Sequence, residues 1–262
     1  MSAAAARIAA RVFLGIVYVF VIGPAVVIIV DSFNAATSFP SPFEGATLRW
    51  YVGLLRHDEF VASMRVSAIV ATLAAAIATL LGLSAGYALI RHPPRGADAV
   101  ATFMMGPLFV PQIVIGLAML QLLGLFRVQL TLAGLVAVHT VYVMPFTLRL
   151  VMTALARFDF ELEEAAHSLG AGRLATLRHV TLPLIHTGLV AGFVFAFILS
   201  FVNLPLSIFL TNPQTATLPI VMFAYMESRI DPLVAAVSSV VVIAAVAVTF
   251  TLERVFKLRL LG

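Results

Sequence analysis

No cysteine occurs anywhere in the 262 residues. Disulfides, thiol catalysis and cysteine-ligated metals are therefore excluded together. Lysine is almost as rare: Lys257, in Phe256-Lys257-Leu258, stands alone. A P-loop of the form G-x-x-x-x-G-K-[ST] needs its lysine on the phosphates, so the chain has none. Charge of either sign is scarce. Sixteen Lys and Arg with 12 Asp and Glu make 28 charged residues, where a soluble domain of this length carries about 65. The six His, from His57 to His186, have no ligand spacing, and neither an H-E-x-x-H zinc site nor a G-x-S-x-G elbow is present.

What is abundant is apolar. Hydrophobic residues make up 62% of the chain, and the mean hydropathy is +1.09. A soluble globular enzyme, a disordered chain and a nucleic-acid-binding domain are all excluded. The net charge of +4 and the pI of about 10.0 fit an excess of basic residues on one side of a membrane. A bilayer core about 30 Å thick needs about 20 apolar residues per helix. On that measure the sequence predicts six transmembrane helices, near 12–30, 62–90, 100–125, 132–155, 184–210 and 233–256, in an all-α membrane protein forming one domain over 1–262. The first run is longer than the roughly 7–15 residues of a signal-peptide core, so it reads as an uncleaved helix, although Arg7, Arg11, Ala35 and Ala36 also suit a signal peptide.

Basic residues orient the bundle. With the N-terminus inside, 11 fall on the cytoplasmic side (Arg7, Arg11, Arg91, Arg95, Arg149, Arg157, Arg173, Arg178, Arg254, Lys257 and Arg259) and five outside (Arg49, Arg56, Arg65, Arg127 and Arg229). Both termini are expected in the cytoplasm. Outside lie a long segment over 31–61, rich in Ser, Pro and aromatics, and a loop over 211–232 holding Pro213 and Pro219.

The predicted helix centres hold almost no ionisable groups, and no Asp–His or Glu–His relay or inverted repeat is visible. Proton coupling is therefore disfavoured, while Na⁺ coupling through carbonyls stays open. ATP could drive transport only through a partner subunit.

The largest cytoplasmic loop, 156–183, is the most informative segment. Asp159 suits a helix N-cap. Glu161, Glu163 and Glu164 fall in the first turns, where the helix dipole favours acids. Leu162, Ala165, Ala166 and Leu169 share one apolar face, and Gly170 is a natural stop. A second short helix carries Leu174, Leu177 and Val180, and Pro183 suits the start of the next membrane helix. Periodicity alone is equally compatible with a docking element and with a helix resting on lipid or on its own bundle.

The residue pattern adds to this. Glu164-Ala165-Ala166, three residues, Gly170, nine residues, Val180, one residue, then Leu182-Pro183 resembles the EAA motif of ABC importer permeases, E-A-A-x3-G-x9-I-x-L-P. Only Val180 departs from it, and it keeps the β-branched apolar character. The shorter stretches Asp31-Ser32-Phe33-Asn34, Phe39-Pro40, Gly45, Thr47-Leu48 and Trp50-Tyr51 resemble the spermidine/putrescine-type branch. The resemblance implies a type I importer permease (MetI-like) fold, with the core permease region over about 62–256. It implies that Glu164, Ala165, Ala166, Leu169, Gly170, Leu182 and Pro183 couple to an ATPase. It implies as partners two ATPase subunits holding ATP and Mg, a second permease (a heterodimer rather than a homodimer) and an external solute-binding protein, with no cofactor or metal in this chain and no nucleic acid.

For the translocation path, the candidates are Gln112, His139, Ser200, Asn203 and Ser207, polar residues in otherwise apolar helices. Spacings of three and four put Ser200, Asn203 and Ser207 on one face of the fifth helix, with Pro205 placed to kink it. Helix–helix hydrogen bonding is the competing reading for each. The spermidine/putrescine-type branch carries an acidic pair where this chain has Val202 and Asn203, so the resemblance implies a small polar solute of polyamine type with both carboxylates missing. The alternative is a self-sufficient secondary transporter or channel.

Overall fold

The computed structural model describes residues 3–38, 42–229 and 231–256. Phe39, Pro40, Lys257 and Arg259, used above, lie outside them. The helices are α1 (Ala3–Asp31), α2 (Arg49–Leu55), α3 (Asp58–Arg91), α4 (Ala97–Met104), α5 (Gln112–Leu125), α6 (Leu132–Leu155), α7 (Glu161–Ser168), α8 (Arg173–Thr176), α9 (Leu182–Phe201), α10 (Leu218–Ser228) and α11 (Leu233–Phe256). Two compact units result, one of Met1–Val61 with Met222–Leu252, the other of Ala62–Val221 with Glu253–Gly262.

Among the described residues, five helical runs are long and apolar enough to cross a membrane: Arg7–Asp31, Asp58–Arg91, Leu132–Leu155, Arg173–Phe201 and Leu233–Thr251. The third expected span is not one helix. It is broken into α4, a 3-10 turn over Gly106–Phe109, and α5. Proline explains the break. Pro107 and Pro111 lack the N–H that a helix interior needs, and Pro111 forces Val110 into an extended conformation. The 14 residues of α5 then span only about 21 Å at 1.5 Å per residue.

The fifth span also differs from expectation. Pro183 falls in the first turn of α9, as expected, but no break precedes it: the helical run is continuous from Arg173 to Phe201. A π-helical turn over Leu177–Thr181 widens the helix just before that proline, where a normal turn would meet the ring. The helix stops at Phe201 rather than near 210, because Pro205 cannot continue it. Ser207 lies in a separate 3-10 turn, Ser207–Phe209. Ser200, Asn203 and Ser207 therefore do not share a helix face. Within 211–232, read from sequence as a loop, the apolar run Leu218 to Met226 forms most of α10.

The larger unit is built on α3, α6 and α9. Small residues let these helices meet closely, as lipid-embedded helices require. Ala71, Ala74, Ala75 and Ala78 on α3 are buried, and the Thr147 hydroxyl donates to the Ala78 carbonyl at 2.8 Å. A Cβ added at Gly188 would lie 2.5 Å from the Ala154 Cβ, so α9 approaches α6 only because that position is glycine.

The smaller unit is organised by Asn34. Its side-chain oxygen accepts from the Ala36 and Glu44 amides at 3.1 and 2.9 Å, and its amide donates to the Pro42 carbonyl. Trp50 Nε1 donates to the Asn34 carbonyl at 2.8 Å, with the Arg49 guanidinium stacked over the Trp50 ring. The Tyr51 hydroxyl bonds Ser32 and Ser239 at 2.6 and 2.8 Å.

Candidate functional site

Two polar centres lie in the larger unit. The first is α7 and its surroundings. The Asp159 carboxylate accepts from the Glu161 amide at 3.0 Å, satisfying an otherwise orphaned N–H of the first turn. The C-terminal turn is closed by Gly170 at φ +89°. Its N–H donates to the His167 carbonyl at 2.9 Å, and the Ala171 N–H donates to the Ala166 carbonyl at 3.0 Å, the paired bonds of a Schellman stop. The His167 ring N–H adds a bond to the Ala171 carbonyl.

The apolar face of α7 points away from the bundle. Leu162 is 44% exposed and Leu169 89% exposed, Ala165 is exposed and Ala166 half-buried. The residue that turns inward is Glu163, 2% exposed. Its carboxylate accepts from the Tyr87 hydroxyl at 3.1 Å on both oxygens, from Arg91 Nε at 3.1 Å and from the Thr181 hydroxyl at 2.5 Å. Tyr87 and Arg91 sit in the last turns of α3, and Thr181 ends the π turn. One carboxylate thus ties α7 to α3 and to the start of α9. Arg91 also reaches Glu164, at 3.3 Å, and packs over the Phe160 ring. Beneath lie Val151, Leu155 and Ile185, with Leu83 and Phe158 against them.

Glu164, Ala165 and Gly170 are exposed, Ala166 and Leu182 are half-buried, and Pro183 is exposed on the continuous helix. Sequence reasoning missed Glu163, Tyr87, Arg91 and Thr181 as a group. The available signal was phase: Glu163 sits beside the apolar stripe rather than opposite it.

The second centre joins all five path candidates. His139 on α6 is fully buried. Its Nδ1 meets the Ser200 hydroxyl at 2.8 Å and its Nε2 the Ser207 hydroxyl at 3.0 Å. Ser207 already donates its proton to the Asn203 carbonyl at 2.8 Å. Its oxygen can then only accept from the imidazole, which assigns the ring proton to Nε2 and leaves Nδ1 to accept from Ser200. Asn203 accepts from the Leu206 amide at 2.9 Å and donates to the Gln112 side-chain oxygen at 3.1 Å. The Gln112 amide donates to the Tyr142 hydroxyl. Tyr142 belongs to the network and was not singled out from sequence. Gln112 is the first residue of α5, so the proline break is what delivers it here. A cleft of about 640 Å³ opens beside it, lined by Phe109, Pro111, Gln112, Tyr142, Phe146 and Pro205 among others. The network holds amide, imidazole and hydroxyl groups, and none of the six side chains is a carboxylate.

The profile of the family described as "Binding-protein-dependent transport system inner membrane component" matches residues 78–260. The chain is 29% identical over 245 residues to the spermidine/putrescine transport system permease protein PotC of Escherichia coli (strain K12), covering 94% of this chain and 92% of that protein. It is 28% identical over 238 residues to the putrescine transport system permease protein PotI of the same strain, covering 86% and 82%. In fold it is similar to a chain of a bacterial ABC transporter involved in import of the acidic polysaccharide alginate, with a TM-score of 0.70 at 18% identity and 95% of each chain covered.

Proposed function

This chain belongs to the binding-protein-dependent transport system inner membrane components, and on that premise we propose how its two polar centres divide the work of transport. It is a permease subunit of an ABC importer and a multi-pass protein of the bacterial inner membrane. The self-sufficient carrier or channel left open by the sequence is displaced by these findings.

In the proposed assembly, two ATPase subunits bind ATP and Mg, a second and different permease chain completes the path, and an external binding protein delivers the solute. Residues 1–262 act as one permease domain with both termini and the 156–183 loop in the cytoplasm. The α7 helix docks an ATPase subunit through Glu164, Ala165, Ala166, Leu169 and Gly170, while Leu182 and Pro183 shape the helix that follows. The observation that supports this is the outward apolar face of α7, with Leu169 89% exposed on a helix that buries its own acid. Helices resting on their own bundle do the reverse. Closure of the ATPases around ATP would move α7 and switch the bundle as a rigid body. A change from 1:99 to 99:1 in its two states needs about 5.5 kcal/mol of differential binding.

The His139 network with Gln112, Ser200, Asn203 and Ser207 lines or supports the path, and the cleft beside Gln112 is its accessible face. The solute is small and polar. PotC and PotI are polyamine permeases by name, which makes spermidine and putrescine the first solutes to test. The neutral network suits recognition by hydrogen bonds and aromatic faces rather than by ion pairing.

The docking assignment is checked by pull-down from detergent-solubilised membranes, wild type against the double variant Glu164→Arg/Ala166→Arg, with partners identified by mass spectrometry. Wild type should bring down an ATPase and a second permease. The variant should lose the ATPase by at least about tenfold, as expected for a charge forced into a contact centre. Equal recovery of the ATPase in both would overturn the assignment.

A further inference from the structure

The docking face of α7 accounts for Glu164 and its neighbours but leaves Glu163 unexplained. An acid beside a docking surface has no need to be buried. Glu163 is 2% exposed and is held by three donors from two other segments: Tyr87 and Arg91 from α3, and Thr181 from the π turn that leads into α9. Burying a carboxylate is costly unless it is paired and hydrogen-bonded, and here it is both. The adjacent acid contrasts with it. Glu164 is 68% exposed and is held only at its outer edge by the same Arg91.

The helix widens over Leu177–Thr181, which carries the Thr181 hydroxyl to 2.5 Å from the carboxylate, within the range of a charge-assisted O–H···O⁻ bond. Leu162 and Leu169 on α7 face outward, so side-chain packing of these large residues does not fix α7 to the bundle. Apolar attachment comes from Phe160, just before the helix, packed against Val151, Leu155 and Ile185, and the polar pin is the attachment made from within α7 itself.

We infer that Glu163 is the positioning residue through which movement of α7 is passed to α3 and α9: it locks α7 to the end of one helix and the beginning of the other, so that the three move together. This rests on the reading of α7 as the ATPase-docking element. It assigns Glu163 a task separate from docking: a complex that lacks the pin still assembles, but the helix bundle no longer follows the ATPases.

The absence of cysteine makes the test direct. A single cysteine is introduced at Phe109, an exposed residue lining the cleft beside Gln112. The complete transporter is purified with its ATPase subunits, and the rate of modification by a water-soluble methanethiosulfonate reagent is measured with and without ATP plus vanadate. This is done in otherwise wild-type protein and in Glu163→Ala, Glu163→Gln and Thr181→Val. Wild type should retain the ATPase and change its modification rate with nucleotide. Glu163→Ala should retain the ATPase but lose the nucleotide response by about tenfold, and Thr181→Val by about two- to threefold, the range of coupling changes seen for residues between two sites. Thr181→Val keeps the shape of the side chain and serves if Glu163→Ala fails to fold, with Glu163→Gln separating the charge from the hydrogen bonds. Wild-type responses in all three variants would overturn the inference. So would loss of the ATPase in step with the response, since Glu163 would then be part of docking. A retained ATPase with no response in wild type would overturn it too, because there would be no movement to pass on. Failure of wild type itself to retain an ATPase would instead remove the docking reading on which the inference stands.

Discussion

The Glu163 centre and the His139 centre both bury polar side chains among apolar helices of one unit, but they satisfy them by different means. Around Glu163 the chain uses charge: a buried carboxylate, an arginine 24% exposed, and two hydroxyl donors. Around His139 it uses only neutral groups, passed in a line from Ser200 through the imidazole to Ser207, Asn203, Gln112 and Tyr142. An ion pair is tolerable at a helix end, where Arg91 still reaches water and its long side chain keeps its head hydrated. Deeper in the bundle an unpaired charge would be far more expensive. A neutral chain also rearranges by exchanging hydrogen bonds, without separating charges. The contrast therefore matches a rigid joint at one site and an adaptable lining at the other.

Substitutions at the two centres should differ in the size of their effects. The largest expected effect is at the joint. Glu163→Ala leaves Arg91 Nε and two hydroxyls without their acceptor, and Arg91 keeps only its exposed bond to Glu164. Breaking a buried pair costs about 3–5 kcal/mol, and the partial exposure of Arg91 puts this case at the lower end. A fall in the thermal midpoint of the purified subunit, well beyond that of any exposed substitution, is the expected outcome; an unchanged midpoint would show that the carboxylate is not holding α7.

A smaller loss is expected in the neutral network. Ser207→Ala removes the acceptor for the imidazole Nε2 proton and the donor to the Asn203 carbonyl, at about 1–3 kcal/mol for buried groups left unsatisfied. Ser200→Ala removes only one bond and should cost less. Reversal of that order would contradict the assigned tautomer. The smallest effect belongs to Glu164→Gln. That residue is 68% exposed, and its bond to Arg91 is a surface pair worth about 0–1 kcal/mol. Its thermal midpoint should match wild type. A large shift would mean that the two adjacent acids share the structural load and that the contrast between them is false.

How far each centre was legible in the sequence follows from the same physics. The membrane class, and four of the spans as near-whole helices, came from length and hydropathy, because lipid leaves a helix no other way to satisfy its backbone. The helix and glycine stop of the 156–183 loop were legible because Asp159 and Gly170 act locally, through bonds spanning two to five residues, although the N-cap position itself falls to Phe160 and Asp159 acts from one residue further out. The break in the third span lies in Pro107 and Pro111, which hydropathy alone passes over, since membrane helices often absorb a proline and here two fall four residues apart. The stop at Phe201 was missed for a related reason: Pro205 was read as a kink in a helix that in fact ends. The five path residues were chosen for polarity, and Ser200, Asn203 and Ser207 also for a shared helix face that the stop at Phe201 removes. That they form a single network with Tyr142 depends on three segments meeting, which no local pattern encodes.

By itself, then, the sequence determined an all-helical membrane chain, the helix and turn of its loop, and the motif that carries its family resemblance. These rest on hydropathy and on short-range hydrogen bonds. Only the tertiary structure decided which face of α7 is offered outward and which acid is buried. The periodicity of α7 marks an apolar side, but not whether that side meets its own bundle. The decision lies with Tyr87, Arg91 and Thr181, residues 76, 72 and 18 positions from Glu163 along the chain, which give the carboxylate partners good enough to bury and so leave the apolar stripe outside.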